Sequence, residues 1–208
     1  MNYLNKEDAI DKLRQLIGQD LRPLASKYGV TVFTDEVNYT GFNKGWAGQV
    51  LERSIGLGVN NMQAPNGGYW ELKMVSFKKL QDGQTVPKET MQITMINEEQ
   101  VKNTPFEQSH LLNKIKEMII CARLFVDRQE TSSELLSVKK FDLNDKQLYE
   151  QVKEDYDLVR DTIQNRGFSA LTGAMGAYVQ PRTKGPGHGS TSRAFYARPV
   201  FIKKMLNI

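Results

Sequence analysis

A run of alternating residues over 69–77 (Tyr-Trp-Glu-Leu-Lys-Met-Val-Ser-Phe) limits the possible folds of this chain more than any other segment. Such alternation predicts a β-strand whose successive side chains point to opposite faces. Glu71 and Lys73 then share one face, whereas Trp70, Leu72 and Met74 share the other. A buried strand face normally excludes charged side chains. The pair therefore indicates either a functional site or an ion pair on an exposed edge strand.

The residues around this strand suit the hydrolysis of phosphodiesters. Such hydrolysis uses a metal ion that lowers the pKa of a water molecule, and Mg²⁺ prefers oxygen ligands. The Glu71 carboxylate, the Leu72 carbonyl and the side chain at position 66 would hold the ion, and Lys73 would hold the attacking water. Glu52 is expected to join them from a neighbouring helix. A second acid is expected at position 66, but the chain has its neutral isostere, Asn66.

The net charge of +4 conceals an uneven distribution. No acidic residue follows Asp161, and the same stretch contains the cations Arg166, Arg182, Lys184, Arg193, Arg198, Lys203 and Lys204. A segregated basic segment is typical of a face that binds a polyanion. A solubilising tail is the alternative, but the apolar and aromatic residues over 195–202 indicate that this segment folds.

The composition excludes or disfavours several classes of protein. One cysteine, Cys121, excludes an internal disulfide, and two histidines with one cysteine disfavour a structural zinc site. No apolar run approaches the roughly 20 residues that span a bilayer. The N-terminal residues show no secretory signal. We therefore expect a cytoplasmic protein that contacts no membrane.

Periodicity predicts a mixture of helices and strands. Apolar spacing predicts helices over 6–17, 20–27, 45–55, 109–124 and 144–164. A turn at Asp82-Gly83 predicts that residues 89–96 form a hairpin with the 69–77 strand. Residues 194–205 are predicted to form a strand or a pair of strands, with Pro199 at an edge or a bend.

A second group of polar residues occupies the segment 187–193 (Gly-His-Gly-Ser-Thr-Ser-Arg). Glycines, small hydroxyls, a histidine and an arginine suit contacts with phosphates and base edges. An ordinary glycine-rich surface loop is the alternative. The basic surroundings of the segment favour contact with DNA.

Four blocks of residues resemble one known family. Residues 44–52 (Lys-Gly-Trp-Ala-Gly-Gln-Val-Leu-Glu) are similar to its glycine-tryptophan helix, which ends in a site glutamate. Residues 64–66 and 71–73 match its Pro-Asp and Glu-x-Lys, except at Asn66. Residues 106–110, before a predicted helix, and 187–195 also resemble it. On these blocks, the chain is identified as a member of the PD-(D/E)xK endonucleases, of the MutH and MvaI-like type II restriction enzyme family.

The resemblance implies a restriction-endonuclease-like α/β (α+β) fold, with a mixed β-sheet flanked by helices and two lobes that form a cleft for double-stranded DNA. It implies one nuclease domain over 1–208, with a catalytic lobe over about 1–125 and a DNA-recognition portion over about 140–208. It assigns Glu52, Asn66, Glu71 and Lys73 to the catalytic site, and Asn66, Glu71 and the Leu72 carbonyl to the metal. The expected DNA contacts are Lys44, Arg182, Lys184, His188, Ser190, Thr191, Ser192 and Arg193.

The activity implied by the resemblance is that of a Mg²⁺-dependent restriction endonuclease that cuts duplex DNA at a short specific sequence and leaves 5′-phosphates. Mn²⁺ or Ca²⁺ are expected substitutes for Mg²⁺. A cognate DNA methyltransferase is the expected companion, and the chain is expected to be a monomer or a weak dimer.

Asn66 departs from the family pattern and is expected to remove most of the activity. Either the chain was altered to bind DNA without cutting it, or it is a natural non-cleaving relative, and the intact Glu52, Glu71 and Lys73 favour the first account. A MutH-type nicking endonuclease and a non-catalytic DNA-binding protein are the alternative functions. A structural protein with an incidental Glu-x-Lys is the third, and it predicts no salt-dependent affinity for DNA.

Overall fold

The computed structural model describes residues 5–57, 68–184 and 191–208. Two compact units divide the chain, one formed by Met1–Lys88 with Met118–Lys140 and the other by Glu89–Glu117 with Phe141–Ile208. The α-helices are α1 (Lys6–Arg14), α2 (Leu21–Lys27), α3 (Trp46–Ser54), α4 (Glu98–Asn103), α5 (His110–Ile115), α6 (Lys146–Arg166) and α7 (Pro199–Leu206). The strands are β1 (Glu71–Lys79), β2 (Thr85–Pro87), β3 (Met91–Met95), β4 (Glu117–Leu124), β5 (Leu135–Asp142), β6 (Val179–Thr183) and β7 (Arg193–Ala197).

Side-chain caps begin the first two helices of the first unit. The Asn5 side chain accepts a hydrogen bond from the Glu7 amide, and the Asp20 side chain accepts one from the Arg22 amide. These bonds satisfy amides that have no partner within the helix. α1 ends at Arg14, three residues before the predicted end. None of the described helices is long and apolar enough to span a membrane.

The sheet of the first unit combines parallel and antiparallel strands. Its order is β2-β1-β4-β5, with β1 antiparallel to β2 and parallel to β4. Trp70, just before β1, and Leu72, Ile119 and Cys121 from one face of β1 and β4 join a core that also contains buried side chains of α1, α2 and α3. The predicted mixed sheet flanked by helices is therefore confirmed.

Residues 109–124 do not form the single helix that their apolar pattern predicts. α5 ends at Ile115, and the run from Met118 to Ala122 is the buried centre of β4. A strand buried on both faces is apolar at consecutive positions, so its pattern resembles that of a buried helix. Cys121 lies in this strand, where burial raises the pKa of its thiol. Cys121 is thus a small buried hydrophobe.

Two further elements differ from the predicted ones. The partner of β1 across the Asp82-Gly83 turn is β2, whereas β3 pairs with β7 in a separate sheet of order β3-β7-β6. β7 ends at Ala197, and Pro199 is the first residue of α7 rather than part of a strand. Proline suits the first position of a helix because its missing N–H would have no helical partner there.

In the second unit, the carboxylate of Asp155 on α6 holds the start of β6. It is buried and accepts hydrogen bonds from the amides of Ala177, Tyr178 and Val179, each at 2.7 Å. Three backbone donors converge on one carboxylate, so charge-assisted hydrogen bonds replace its hydration shell.

Arg198 holds the segment just before β6. Its guanidinium donates to the carbonyls of Gly173, Met175 and Gly176 at 2.8–3.0 Å. One of the seven cations of the basic C-terminal segment is thus engaged in the fold. The predicted polyanion-binding face must therefore rest on the other cations.

Replacing Asp155 with Asn should lower the free energy of unfolding by about 2–3 kcal/mol, because hydrogen bonds to a charged acceptor contribute about 1.5–3 kcal/mol. An amide also turns one acceptor into a donor that would face backbone N–H groups. Urea denaturation followed by circular dichroism measures the change. Asp161→Asn, on an exposed position of the same helix, is the matched control and should stay within about 0.5 kcal/mol of the wild type. Equal midpoints for the two variants would contradict the expectation.

Candidate active site and nucleic-acid surface

Glu71 and Lys73 lie on one face of β1, as the alternation predicts. Their partners across the parallel pair are Met118 and Ile120 of β4, which are fully buried. The Nζ of Lys73 lies 2.9 Å from Oε1 of Glu71, and the two side chains are 23% and 4% exposed, respectively. The sequence left open an ion pair on an exposed edge strand. The low exposure of the Glu71 side chain excludes that alternative.

Packing alone does not account for a carboxylate in this position. Burying two opposite charges costs desolvation free energy, and apolar side chains of similar volume are often as stable or more stable there. The neighbouring Met118 and Ile120 are apolar, so an aliphatic residue would suit the position of Glu71 better. A buried charged pair of this kind is a candidate functional site.

The backbone of β1 leaves the Leu72 carbonyl facing an edge without a strand. The Ser76 carbonyl accepts from Lys88 on the β2 side, and the Phe77 carbonyl accepts from Phe125 on the β4 side. Carbonyls alternate in direction along a strand, and the pairing with β4 shows no shift, so the Leu72 carbonyl points toward the β2 side. β2 pairs only with the last three residues of β1. Among the described strands, none lies beside Leu72.

Helix α3 brings Glu52 toward the same strand. A Cβ built at Gly48 would lie 4.0 Å from Cβ of Met74, so this turn of α3 packs directly on β1. Glu52 stands one turn further along and is half-buried. The neighbouring Val50 and Leu51 are buried in the core that contains Leu72. Glu52 and Glu71 therefore belong to the same unit, but α3 packs on the face of β1 that carries Leu72 and Met74, opposite to the face of Glu71.

The oxygen donors around Glu71 suit a hydrated divalent cation. Asn66 lies outside the described residues. Within the described part of the chain, no group of three or more His, Cys, Asp or Glu side chains could hold a metal ion. The Glu71 carboxylate and the Leu72 carbonyl are hard oxygen donors of the kind that Mg²⁺, Mn²⁺ and Ca²⁺ prefer. Because Mg²⁺ retains several waters, a small number of protein ligands fits it.

The expected DNA contacts of the C-terminal segment gather at one end of the β6–β7 pair. This β6–β7 end consists of Arg182, Lys184, Thr191, Ser192 and Arg193. The Lys184 amide donates to the Ser192 carbonyl at 2.9 Å, which extends the ladder beyond both strands. All of these residues except half-buried Arg193 are exposed. His188 and Ser190 lie outside the described residues.

Neighbouring side chains hold the two arginines of this end in place. Nη1 of Arg182 donates to Oγ1 of Thr90 at 2.9 Å, and its guanidinium lies 5.8 Å from the centre of the Tyr196 ring. Arg193 donates to Oγ1 of Thr183. No sequence signal indicates the role of Thr90, because its pairing with Arg182 depends on the β3–β7–β6 topology.

Lys44, the remaining expected DNA contact, belongs to the first unit. It is exposed and stands two residues before the start of α3. The β6–β7 end belongs to the other unit. The structure places Lys44 on the chain segment that leads into the helix carrying Glu52.

Comparisons with known proteins agree with this arrangement. The family described as "DNA mismatch repair enzyme MutH" matches residues 62–155, a stretch that includes β1 and β4. The type II restriction enzyme Sau3AI of Staphylococcus aureus is 28% identical over 131 residues, which cover 61% of this chain and 26% of that enzyme. The match thus spans about a quarter of the length of this curated relative. The two matches thus support the resemblance of this chain to MutH-like and restriction-enzyme-like nucleases.

Proposed function

We propose that this chain is built as an endonuclease that hydrolyses phosphodiester bonds of duplex DNA at a short specific sequence and leaves 5′-phosphates. The observation that carries the proposal is the Glu71–Lys73 pair at 2.9 Å, with its nearly inaccessible carboxylate. The similarity to a type II restriction enzyme favours cleavage of both strands. The match to a mismatch-repair family keeps a nicking activity as the alternative.

The residues of β1 have distinct roles in this proposal. Glu71, the Leu72 carbonyl and the side chain at position 66 would hold a divalent cation, Mg²⁺ or its substitutes Mn²⁺ and Ca²⁺. Such an ion, when bound, polarises a phosphoryl oxygen and lowers the pKa of a water molecule. Lys73 donates a hydrogen bond that orients the attacking water, because its Nζ stands beside the Glu71 carboxylate. Glu52 orients a further water from α3.

The two units have separate roles in the same proposal. The first unit is the catalytic lobe, with Lys44 as a phosphate contact. The β6–β7 end of the second unit, with His188 and Ser190 of the same segment, is the recognition portion. A cognate DNA methyltransferase, a monomeric or weakly dimeric state and a cytoplasmic location belong to the proposal as well.

Asn66 favours a second candidate function, which is sequence-specific binding of DNA without cleavage. An amide keeps the shape of an aspartate but lacks its charge, so it is a weaker ligand for Mg²⁺. Every other expected site residue is an intact acid or lysine. The residue at position 66 therefore decides whether the chain cuts DNA or only binds it.

Plasmid cleavage in Mg²⁺ by this chain and by Asn66→Asp tests the proposal. We expect discrete fragments from the Asp form and a rate lower by about 100-fold or more for the chain itself, because a lost metal ligand costs at least as much as a lost supporting residue. Methylated and unmethylated plasmids are digested in parallel.

The products of this digestion separate the alternatives. Nicked circles without fragments would move the assignment to the mismatch-repair type. Specific binding by both proteins without any cleavage would favour the non-catalytic function. Absence of salt-dependent DNA binding by either protein would overturn both.

A further inference from the structure

A compact turn over residues 34–42, called the 34–42 turn below, presents apolar side chains to solvent in the first unit. Val37 is 85% exposed, Tyr39 46% and Phe42 39%. Scattered single apolar residues on a surface are ordinary, whereas three within six positions form a patch that requires an explanation.

Backbone hydrogen bonds make this turn rigid. Asp35 and Thr40 exchange two backbone hydrogen bonds at 3.2 and 3.3 Å, which close the turn as a short antiparallel bridge. The Asp35 carboxylate accepts from the amides of Val37 and Asn38. Gly41 has φ of +66°, and a Cβ at that position would collide with the Thr34 side chain. The 34–42 turn therefore has one defined conformation.

The exposed rings are held in fixed positions. Phe33 is buried, and the ring of Tyr39 meets it edge-on at 5.4 Å, while the ring of Phe42 lies 5.1 Å away. Tyr39 adopts a left-handed backbone with φ of +53°, which is unfavourable for a bulky aromatic residue. Strain of this kind often accompanies function, and fixed side chains lose little entropy on binding.

The charges around the turn suit a polyanion. The Asn38 backbone amide lowers the pKa of Asp35, so this carboxylate is ionised and occupied within the turn at neutral pH. Glu36 pairs with Arg22. Lys27 and Lys44 are exposed on either side of the turn in sequence. Arg22 thus balances the charge of Glu36, and amides of the turn engage the Asp35 carboxylate, whereas the exposed cations Lys27 and Lys44 face solvent.

We propose that the 34–42 turn contacts duplex DNA, with Val37 and Tyr39 packing as an apolar wedge against sugars or base edges beside the site of cleavage. The inference rests on the proposed nuclease function. The turn leads within a few residues to Lys44 and then to α3, which carries Glu52. Apolar side chains of other proteins enter the minor groove between base steps in the same way, supported by nearby cations.

Equilibrium binding of a fluorescent duplex in the absence of Mg²⁺ tests this proposal across a series of salt concentrations. Tyr39→Asn removes the ring but keeps a residue that tolerates a left-handed backbone, so the variant should fold. We expect Tyr39→Asn to weaken binding by about 5- to 150-fold, the range that aromatic contacts with bases contribute. The dependence of affinity on salt should not change.

Two controls distinguish an apolar contact from other effects. Lys44→Gln should instead reduce the slope of log affinity against log salt by about 0.9, the value for one phosphate contact. Val126→Ser, at a 52% exposed valine elsewhere in the unit, is the matched control for Val37→Ser and should bind as the wild type does.

The outcomes separate this proposal from the function on which it rests. Wild-type affinity in both Tyr39→Asn and Val37→Ser, together with weaker binding by Lys44→Gln, would overturn the wedge and leave the nuclease proposal intact. That result would assign the patch to a protein partner. A wild-type chain that does not bind duplex DNA at low salt would contradict the nuclease proposal itself.

Discussion

Replacing Lys73 with Met in the Asn66→Asp protein is expected to slow DNA cleavage by about 1,000-fold or more, within the range that positioned proton donors and acceptors contribute. Met has a similar length but no hydrogen-bond donor, so the attacking water would lose its orienting contact. The Nζ of Lys73 lies 2.9 Å from the Glu71 carboxylate, and the other lysines of β1, Lys78 and Lys79, stand at the far end of the strand. Single-turnover cleavage of a short duplex measures the chemical step.

The matched control for this change is Lys78→Met on the same strand. Lys78 is exposed and stands near the opposite end of β1 from Glu71, so its loss should leave the cleavage rate within about threefold of the parent. Because Lys73→Met also removes an ion-pair partner of a buried carboxylate, the thermal midpoint of each variant is recorded. A folded Lys73→Met protein that keeps a tenth of the parental rate would contradict the assigned role.

Glu71→Gln in the same background separates metal binding from water orientation. The amide keeps a hydrogen bond to Lys73 but is a weaker ligand, so the Mg²⁺ concentration that gives half-maximal rate should rise. Lys73→Met should not raise it. An identical metal dependence for the two variants would show that the pair acts as one structural unit.

The sequence predicted the centre of this site because alternation depends only on local geometry. Two positions two residues apart on a strand must face the same side, and the observed pairing of Glu71 with Lys73 follows from that rule. The helix carrying Glu52 was predicted for similar reasons, from apolar spacing and a glycine after its end. Local rules thus located the acid, the lysine and the adjacent helix.

Pairings between distant segments were not predictable in the same way. The run from Met118 to Ala122 became a strand because it lies between β1 and β5, where both of its faces are buried. Its pattern alone is compatible with a helix. The assignment of residues 91–95 to the second sheet also depends on a strand about a hundred residues later in the chain.

The contacts of buried polar groups could not be predicted from the sequence either. Asp155 appeared as one acid in a charged helix, and only the fold shows that three backbone amides of β6 and its approach surround it. Arg198 appeared as part of a basic tail, although its guanidinium is occupied by three carbonyls. Net charge in a sequence therefore overestimates the charge that a folded surface offers to a polyanion.

The largest effect on stability is expected from Arg123→Met, which should lower the free energy of unfolding by about 3–5 kcal/mol. Arg123 on β4 is 5% exposed and forms a two-point ion pair with Glu130, which is 1% exposed. The two nitrogen–oxygen distances are 2.5 and 2.9 Å, and Ser133 accepts a further hydrogen bond at 2.9 Å. Met would fill most of the space, so the cost arises from a carboxylate left buried without its partner.

Tryptophan fluorescence during urea denaturation is a suitable measurement, because Trp46 and Trp70 are both buried in the first unit and the Arg123 guanidinium lies 5.1 Å from the Trp46 ring. Adding Glu130→Gln to Arg123→Met removes the second charge and should recover at least about half of the lost stability, since apolar or neutral replacements of a buried pair are often tolerated. Lys140→Met breaks an exposed pair with Glu7 of similar length and should cost less than about 1 kcal/mol. If the double variant were no more stable than Arg123→Met, the cost would come from packing against Trp46 rather than from an unpaired charge.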